Sequence, residues 1–330
     1  MIVFSKTPYR ISLSGGGTDT KHWFNKHSGY TLSFTIDKYC YISVRNLPNF
    51  FKHKYRIVYS KIEQVSKVNE IKHPSIREVL KYFKKNEGLE IHHDGDLPAR
   101  SGIGSSSAFT VGMLNALNFY YDIKQSKESL ANKAIYIEQN LIKENVGCQD
   151  QLASSLGGIN FIEYKKGNNF NIKPINISKE NLKLLEDNSM LLFTDLTRNS
   201  DSIQKQNFSN YKNIENKLLN LNELTKECYK TFLNKNLDLK KLGSIISEGW
   251  TIKKDISNII TNYKINNIMN ELSNLGIYGQ KLIGAGGGGF IFILASKLVQ
   301  NKIKKIFSKN ITCNFKVDFE GSQIIFKSVK

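Results

Sequence analysis

The chain has 330 residues, 40% hydrophobic and 23% charged, with a formal net charge of +18. That length supports two lobes around substantial cores, and the composition is ordinary for a folded soluble protein. The lysines are scattered among Asn, Ile and Glu, as in KKNE, which favours a solvated surface over a nucleic-acid partner, although a positive field would aid capture of phosphorylated substrates.

The opening segment MIVFSKTPYR lacks the basic and long apolar regions of a signal peptide, and the apolar run Phe290 to Ala295 is too short to cross a bilayer. A cytoplasmic protein without a membrane partner is expected. Cys40, Cys148, Cys228 and Cys313 are widely spread with no C-x-x-C pair, so buried or incidental thiols are expected rather than a disulfide framework or zinc site.

In chain order, Ile2 to Lys6 and Tyr9 to Leu13 read as short strands bounded by Pro8 and the Gly15-Gly16-Gly17 turn. Thr31 to Val44 reads as one long bent strand or two. Helical spacing marks Ser75 to Lys85, and Leu89 to His93 is strand-like. A glycine-serine turn opens an apolar helix from Ser105 to about Tyr120, and a second helix follows from about Ser126 to Ile142. A short helix near Gln149 to Ser155 and a strand from Ile159 to Tyr164 close the first half.

Met190 to Thr194 is strand-like, and long polar helices are expected from about Asp201 to Leu233 and from Leu237 to Ile256. A further helix near Asn266 to Leu275 precedes the glycine run Gly284 to Gly289, which feeds a strand, Phe290 to Leu294. A helix and strands near Thr312 to Asp318 and Gln323 to Lys327 end the chain. Strands and helices do not alternate regularly, so the fold class is α+β rather than doubly wound α/β. The units are set at 1–180 and 181–330.

The strongest local signal is Pro98-Ala-Arg-Ser-Gly-Ile-Gly-Ser-Ser-Ser-Ala108. Gly102 and Gly104 allow close backbone approach to a ligand, and Ser105, Ser106 and Ser107 begin a helix whose free N–H groups and dipole attract anions. A flexible Gly/Ser turn is the plain alternative. Three serines after G-x-G, running directly into an apolar helix, count against it. The chain has no Gly-Lys dipeptide, which excludes a Walker A loop, and no H-R-D of a protein kinase. Gly284 to Gly289 matches G-x-G-x-x-G, but it leads into a strand, so the dinucleotide-binding context fails. Close approach of that run to a ligand or to the first loop is the remaining functional reading.

TPYRISLSGGGTD (Thr7 to Asp19), PARSGIGSSSA and KLIGAGGGGF (Lys281 to Phe290) together resemble, in order and spacing, the three motifs of the GHMP kinases. The resemblance implies a two-lobed fold, with an N-terminal lobe like domain 2 of ribosomal protein S5 and an α+β C-terminal lobe. It further implies ATP and Mg2+ between the lobes. GGGTD resembles the opening of the sugar 1-kinase branch. Phosphorylation of the anomeric hydroxyl of D-glycero-D-manno-heptose 7-phosphate is implied, with an unphosphorylated sugar such as L-fucose, or a silent sugar sensor, as alternatives. The partner expected is thus a small phosphosugar; a homodimer is left open.

By the same resemblance Asp150 is the catalytic base or acceptor-orienting group and Arg10 its basic neighbour. Pro98, Arg100, Ser101, Gly102, Ile103, Gly104, Ser105, Ser106, Ser107 and Ala108 would bind ATP. Ser106 and Glu138, the latter twelve positions before Asp150, would hold the metal. Gly16, Gly17, Thr18, Asp19, Gly286 and Gly287 would face the sugar, and Arg198 would clamp its phosphate. Taken singly, each has a plainer reading: a helix cap for Asp150, a surface strand arginine for Arg10, a solvated helix face for Glu138, an Asx-turn for Asp19.

Overall fold

The computed structural model describes residues 1–196, 211–256 and 259–328. Two mixed layers are present among them. Strands β1 (Ile2–Gly15), β2 (Gly29–Asn46), β3 (Tyr55–Val58), β4 (Ile62–Val65), β5 (Leu89–Gly95), β6 (Ile159–Lys165) and β7 (Asn169–Pro174) join β12 (Gln323–Lys327) in one sheet. Its main path is β12-β1-β2-β5-β3-β4, with β6 pairing β2 and β7. A second, antiparallel sheet runs β11-β8-β10-β9, built from β8 (Ser189–Phe193), β9 (Gly279–Leu282), β10 (Phe290–Leu294) and β11 (Thr312–Cys313). The α+β expectation holds: among the described residues only β3 and β5 pair in parallel within the first sheet. The final strand returns from the second half of the chain to pair with β1.

Helices are α1 (Lys21–Phe24), α2 (Pro74–Phe83), α3 (Ser105–Tyr120), α4 (Lys127–Tyr136), α5 (Gln149–Leu156) and α6 (Lys179–Asp187). In the second half come α7 (Tyr211–Leu233), α8 (Leu239–Lys254), α9 (Tyr263–Ser273) and α10 (Lys297–Ile306). The expected start of α7 at Asp201 lies outside the described residues.

Two sequence expectations change. Pro8 does not end β1. The strand passes through it with a register shift between Pro8 and Tyr9, and a bulge of this kind accommodates a residue that cannot donate to the ladder. The β3–β4 hairpin, for which the sequence carries no clear signal, extends the sheet. β2 resolves as one long strand, its first part pairing β6 and its last part β5.

Helix α3 is apolar on nearly every side, from Ala108 through Leu117, and is correspondingly buried against β1 and β2. It forms the centre of the larger core with Ile11, Phe34, Ile42 and Ile91. A second core, including Leu192, Trp250, Ile265, Leu282 and Ile291, fills the space between the second sheet and α8 and α9. The cysteines are free, with Cys40, Cys148 and Cys228 buried. Among the described residues no helix is long and apolar enough to cross a membrane.

Helix α8 reaches the second sheet through Gly243, whose Cα faces the Tyr278 carbonyl and Gly279 backbone with no space for a side chain. Gly249 in the same helix has room, since an added methyl would meet only Leu221 Cδ1 at 3.5 Å. Gly243→Ala is expected to destabilise by about 1–3 kcal/mol through overpacking. Gly249→Ala is expected to be neutral or to stabilise by up to about 1 kcal/mol through helix propensity. Urea unfolding of the two variants checks the contrast.

Candidate active site

The Gly/Ser loop ends at Gly104, which adopts φ 74° and precedes the first turn of α3. Among the described residues no side chain caps that turn. Its N–H groups are therefore available to an anion, and the dipole of a four-turn buried helix adds to the attraction. The loop is braced from within: Arg100 N–H donates to Ser105 Oγ at 3.2 Å, and Ser101 Oγ donates to the Pro98 carbonyl at 2.5 Å.

Behind the loop sits Arg10, on β1 and nearly fully buried. Its Nε and Nη2 donate to Asp150 Oδ1 and Oδ2, both at 2.7 Å, a bidentate pair. Its Nη1 donates to the Gly102 carbonyl at 2.6 Å, and its backbone N–H to the Ile103 carbonyl at 3.1 Å. Gly104 lies directly on this pair: a side-chain methyl there would stand 3.2 Å from Asp150 Oδ2 and 3.3 Å from Arg10 Cγ. Asp150 is in the first turn of α5, and its side chain is 27% exposed, so the carboxylate is pinned yet reachable from the cleft.

Asp19 is close by and buried. Its Oδ1 accepts from Gly17 N–H at 3.0 Å and its Oδ2 from Gln149 N–H at 3.2 Å. Burial, and then the charge of Asp150, push its pKa above the ordinary carboxylate value, against those two backbone donors. The Gln149 amide in turn donates to Ser12 Oγ at 3.1 Å.

The glycine run of the second half closes the cleft from the other side. It approaches the first loop backbone to backbone: a Cβ on Gly284 would lie 2.5 Å from Gly102 Cα, and one on Gly289 would collide with the Ser101 carbonyl. Phe290 N–H donates to that same carbonyl at 3.1 Å. Lys253, in the last turn of α8, lines the cleft and donates from Nζ to the Gly284 carbonyl at 2.6 Å. Enclosure by protein and the neighbouring Arg10 push its pKa down to about 8. Ile256 and Ile260 add apolar wall.

Glu138 lies one layer deeper, where α4 continues as a π-helical turn, Ile137–Ile142. It is fully buried, not on a solvated face. Its Oε2 accepts from Ser107 Oγ at 2.9 Å and from Gln151 Nε2 at 2.5 Å. Its Oε1 makes no full hydrogen bond and has the Thr110 hydroxyl nearby. Burial raises its pKa to about 7. Buried hydroxyl and carboxylate oxygens with spare acceptor capacity fit a hard cation such as Mg2+. The pair expected for that role is only half assembled, because exposed Ser106 makes no hydrogen bond to Glu138; the adjacent Ser107 does.

The structure thus gathers Arg10, Asp150, Asp19, Gly16, Gly17, Gly286, Arg100, Gly102, Gly104, Ser105, Ser106 and Ser107 around one cleft. Other expected residues do not line it. Thr18 is buried and exchanges hydrogen bonds with the Tyr30 backbone. Gly287 donates to the Ile260 carbonyl at 2.7 Å. Ser101, Ile103 and Ala108 are buried in the packing beneath the loop, and Pro98 stands outside the lining. Arg198 lies outside the described residues. Sequence reasoning missed Lys253, Gln149 and Ser12. Ser12 and Gln149 fall beside motif residues and were within reach; Lys253 sits in an ordinary lysine-rich helix end and carried no signal.

The family model described as GHMP kinases N terminal domain matches residues 71–158, and that described as GHMP kinases C terminal matches 230–311. Together they span just over half of the chain. A D-glycero-alpha-D-manno-heptose 7-phosphate kinase of Campylobacter jejuni is 28% identical over 317 residues, covering 92% of this chain and 93% of its own. A bifunctional fucokinase/GDP-fucose pyrophosphorylase of Arabidopsis thaliana is 25% identical over 87% of this chain, which spans only 29% of that protein. The crystal structure of a D-glycero-D-manno-heptose 1-phosphate kinase from Bacteriodes thetaiotaomicron superposes with a TM-score of 0.81, at 19% identity and full coverage of both chains. At that identity it speaks for the fold.

Glu138 generates a pH test. With a folded pKa of about 7 against an ordinary 4.5, the native state keeps a proton that the unfolded state releases in this interval. The associated stability is complete below pH 4.5 and is lost as pH rises through about 7. Without added divalent cation, the wild type should lose roughly 3 kcal/mol relative to Glu138→Gln across that window. Denaturant unfolding of both proteins from pH 4.5 to 8 measures the difference; parallel profiles would contradict it.

Proposed function

The chain belongs to the GHMP kinases, and on that premise we propose that it moves the terminal phosphoryl of ATP to the anomeric hydroxyl of D-glycero-D-manno-heptose 7-phosphate. The products are the 1,7-bisphosphate and ADP, on a cytoplasmic route to a nucleotide-activated heptose for surface polysaccharide. Membership of the family makes the chain an ATP-dependent kinase. The heptose assignment draws its support from the relative that is 28% identical over nearly the whole of both chains.

The observation that carries the chemistry is the Arg10–Asp150 pair, bidentate at 2.7 Å and overlaid by Gly104 of the phosphate loop. Phosphoryl transfer demands positioning and charge neutralisation more than covalent help from the protein. The triphosphate would lie against the uncapped first turn of α3. Asp150 would then orient the sugar's anomeric hydroxyl toward the γ-phosphorus. As the new O–P bond forms and the bond to the ADP oxygen breaks, the hydroxyl proton passes to the Asp150 carboxylate. Arg10 keeps that carboxylate in place and offsets charge on the transferring group. Asp19, with Gly16 and Gly17, would meet the sugar hydroxyls, while Arg198 remains the candidate for the 7-phosphate.

Glu138 and the loop serines Ser106 and Ser107 would hold a divalent cation. When bound, Mg2+ would neutralise phosphate charge at the loop. The two lobes are assigned to 1–180 and 181–330, with the last strand crossing back to the first sheet.

A free sugar such as L-fucose is the second reading, supported by the 25% identity to the bifunctional fucokinase. ADP release measured over heptose 7-phosphate and L-fucose should give the higher kcat/KM for the phosphosugar. Preference for the free sugar would reverse the assignment. Asp150→Asn should lower kcat by about a hundredfold or more with an unchanged unliganded fold by circular dichroism. A variant turning over at the wild-type rate would remove Asp150 from its role.

A further inference from the structure

Lys253 is a cleft cation that none of the three motifs accounts for. Its side chain leaves the C-terminal turn of α8 and reaches the junction of three loops. There Nζ donates to the Gly284 carbonyl at 2.6 Å and stands 3.9 Å from the position a Cβ on Gly16 would take. Gly284 itself touches Gly102 of the phosphate loop. The ammonium is therefore on the phosphate side of the cleft, not at a remote rim.

The charged groups acting on Lys253 are Arg10, Asp19 and Asp150. The cleft lining carries three cations, Arg10, Arg100 and Lys253, and three carboxylates, Asp19, Glu144 and Asp150. Asp150 is already engaged by Arg10 at both oxygens. Asp19 is engaged by the backbone N–H groups of Gly17 and Gln149. Lys281 is buried and donates to the Leu13 carbonyl at 3.0 Å. Among the described residues no carboxylate lies within ion-pair distance of Lys253. The Lys253 ammonium is half-buried at the cleft wall, and beyond its bond to the Gly284 carbonyl it has two further N–H donors to offer an anion in the cleft.

We propose that Lys253 binds the terminal phosphate of ATP and shares with Arg10 the neutralisation of the transferring phosphoryl group. The proposal rests on the kinase reading above. An anion held here could in principle come from the nucleotide or from the sugar's own phosphate. The contact with Gly284, and through it Gly102, favours the nucleotide, as does the placement beside Arg10 and Asp150.

The test compares binding of a non-hydrolysable ATP analogue and of ADP, each with Mg2+, and of heptose 7-phosphate, to wild type, Lys253→Met and Lys253→Arg by calorimetry. Lys253→Met should weaken the ATP analogue about tenfold or more, as expected for a lost charge-assisted hydrogen bond, and leave ADP within about twofold. Lys253→Arg should recover part of the loss. Equal losses for both nucleotides, or none, would overturn the proposal, as would a loss confined to heptose 7-phosphate. Failure of the wild type to bind either nucleotide would overturn the kinase reading together with it.

Discussion

The guanidinium of Arg10 ties the site together. Through one side chain and its own backbone N–H, it fastens β1 to α5 at Asp150 and to the phosphate loop at Gly102 and Ile103. A buried arginine is tolerated only when its donors are matched, and here the matched partners come from separate segments of the chain. The pairing therefore demands that strand, loop and helix arrive together. In doing so it sets the carboxylate at the mouth of the uncapped α3 turn. Catalytic geometry and folding specificity thus rest on the same contact.

A second constraint is steric. The two glycine-rich segments meet backbone to backbone, Gly284 on Gly102 and Gly289 on Ser101, where side chains would keep them apart. One segment precedes the central helix of the first layer, and the other precedes a strand of the second sheet. Their contact closes one end of the cleft and brings Lys253 to the phosphate side. Asp19 is held by backbone N–H groups and Asp150 by Arg10, which leaves the Lys253 ammonium, with a carbonyl for a partner, facing the cleft. A cation placed at that point draws a phosphate more specifically than the diffuse net charge of +18, which salt screens.

Much of this is legible in the sequence where the physics is local. The run from Ala108 to Leu117 reads as a buried helix because apolar residues occupy nearly every side of it, and the missing Gly-Lys dipeptide by itself excludes a P-loop. The three motif segments locate Arg10, Asp19 and the loop. Other features depend on contacts remote in sequence. Pro8 looks like a strand end because a bulge that absorbs it leaves no trace in composition. The hairpin at Tyr55 to Val65 lacks a two-residue glycine turn. Ser106 and Ser107 are indistinguishable by type, and only the direction of the first helical turn decides which hydroxyl reaches Glu138. Lys253 is one of many lysines, and its place is set by the packing of α8 on the second sheet.

The central claim is that phosphoryl transfer occurs at the Arg10–Asp150 pair beneath the first turn of α3. The most direct measurement is a crystal structure with a non-hydrolysable ATP analogue and Mg2+. The triphosphate should lie on the N–H groups of Ser105 to Ser107, with its terminal phosphate directed at Arg10 and Asp150. A nucleotide seated elsewhere, or one whose terminal phosphate points away from that pair, would contradict the account.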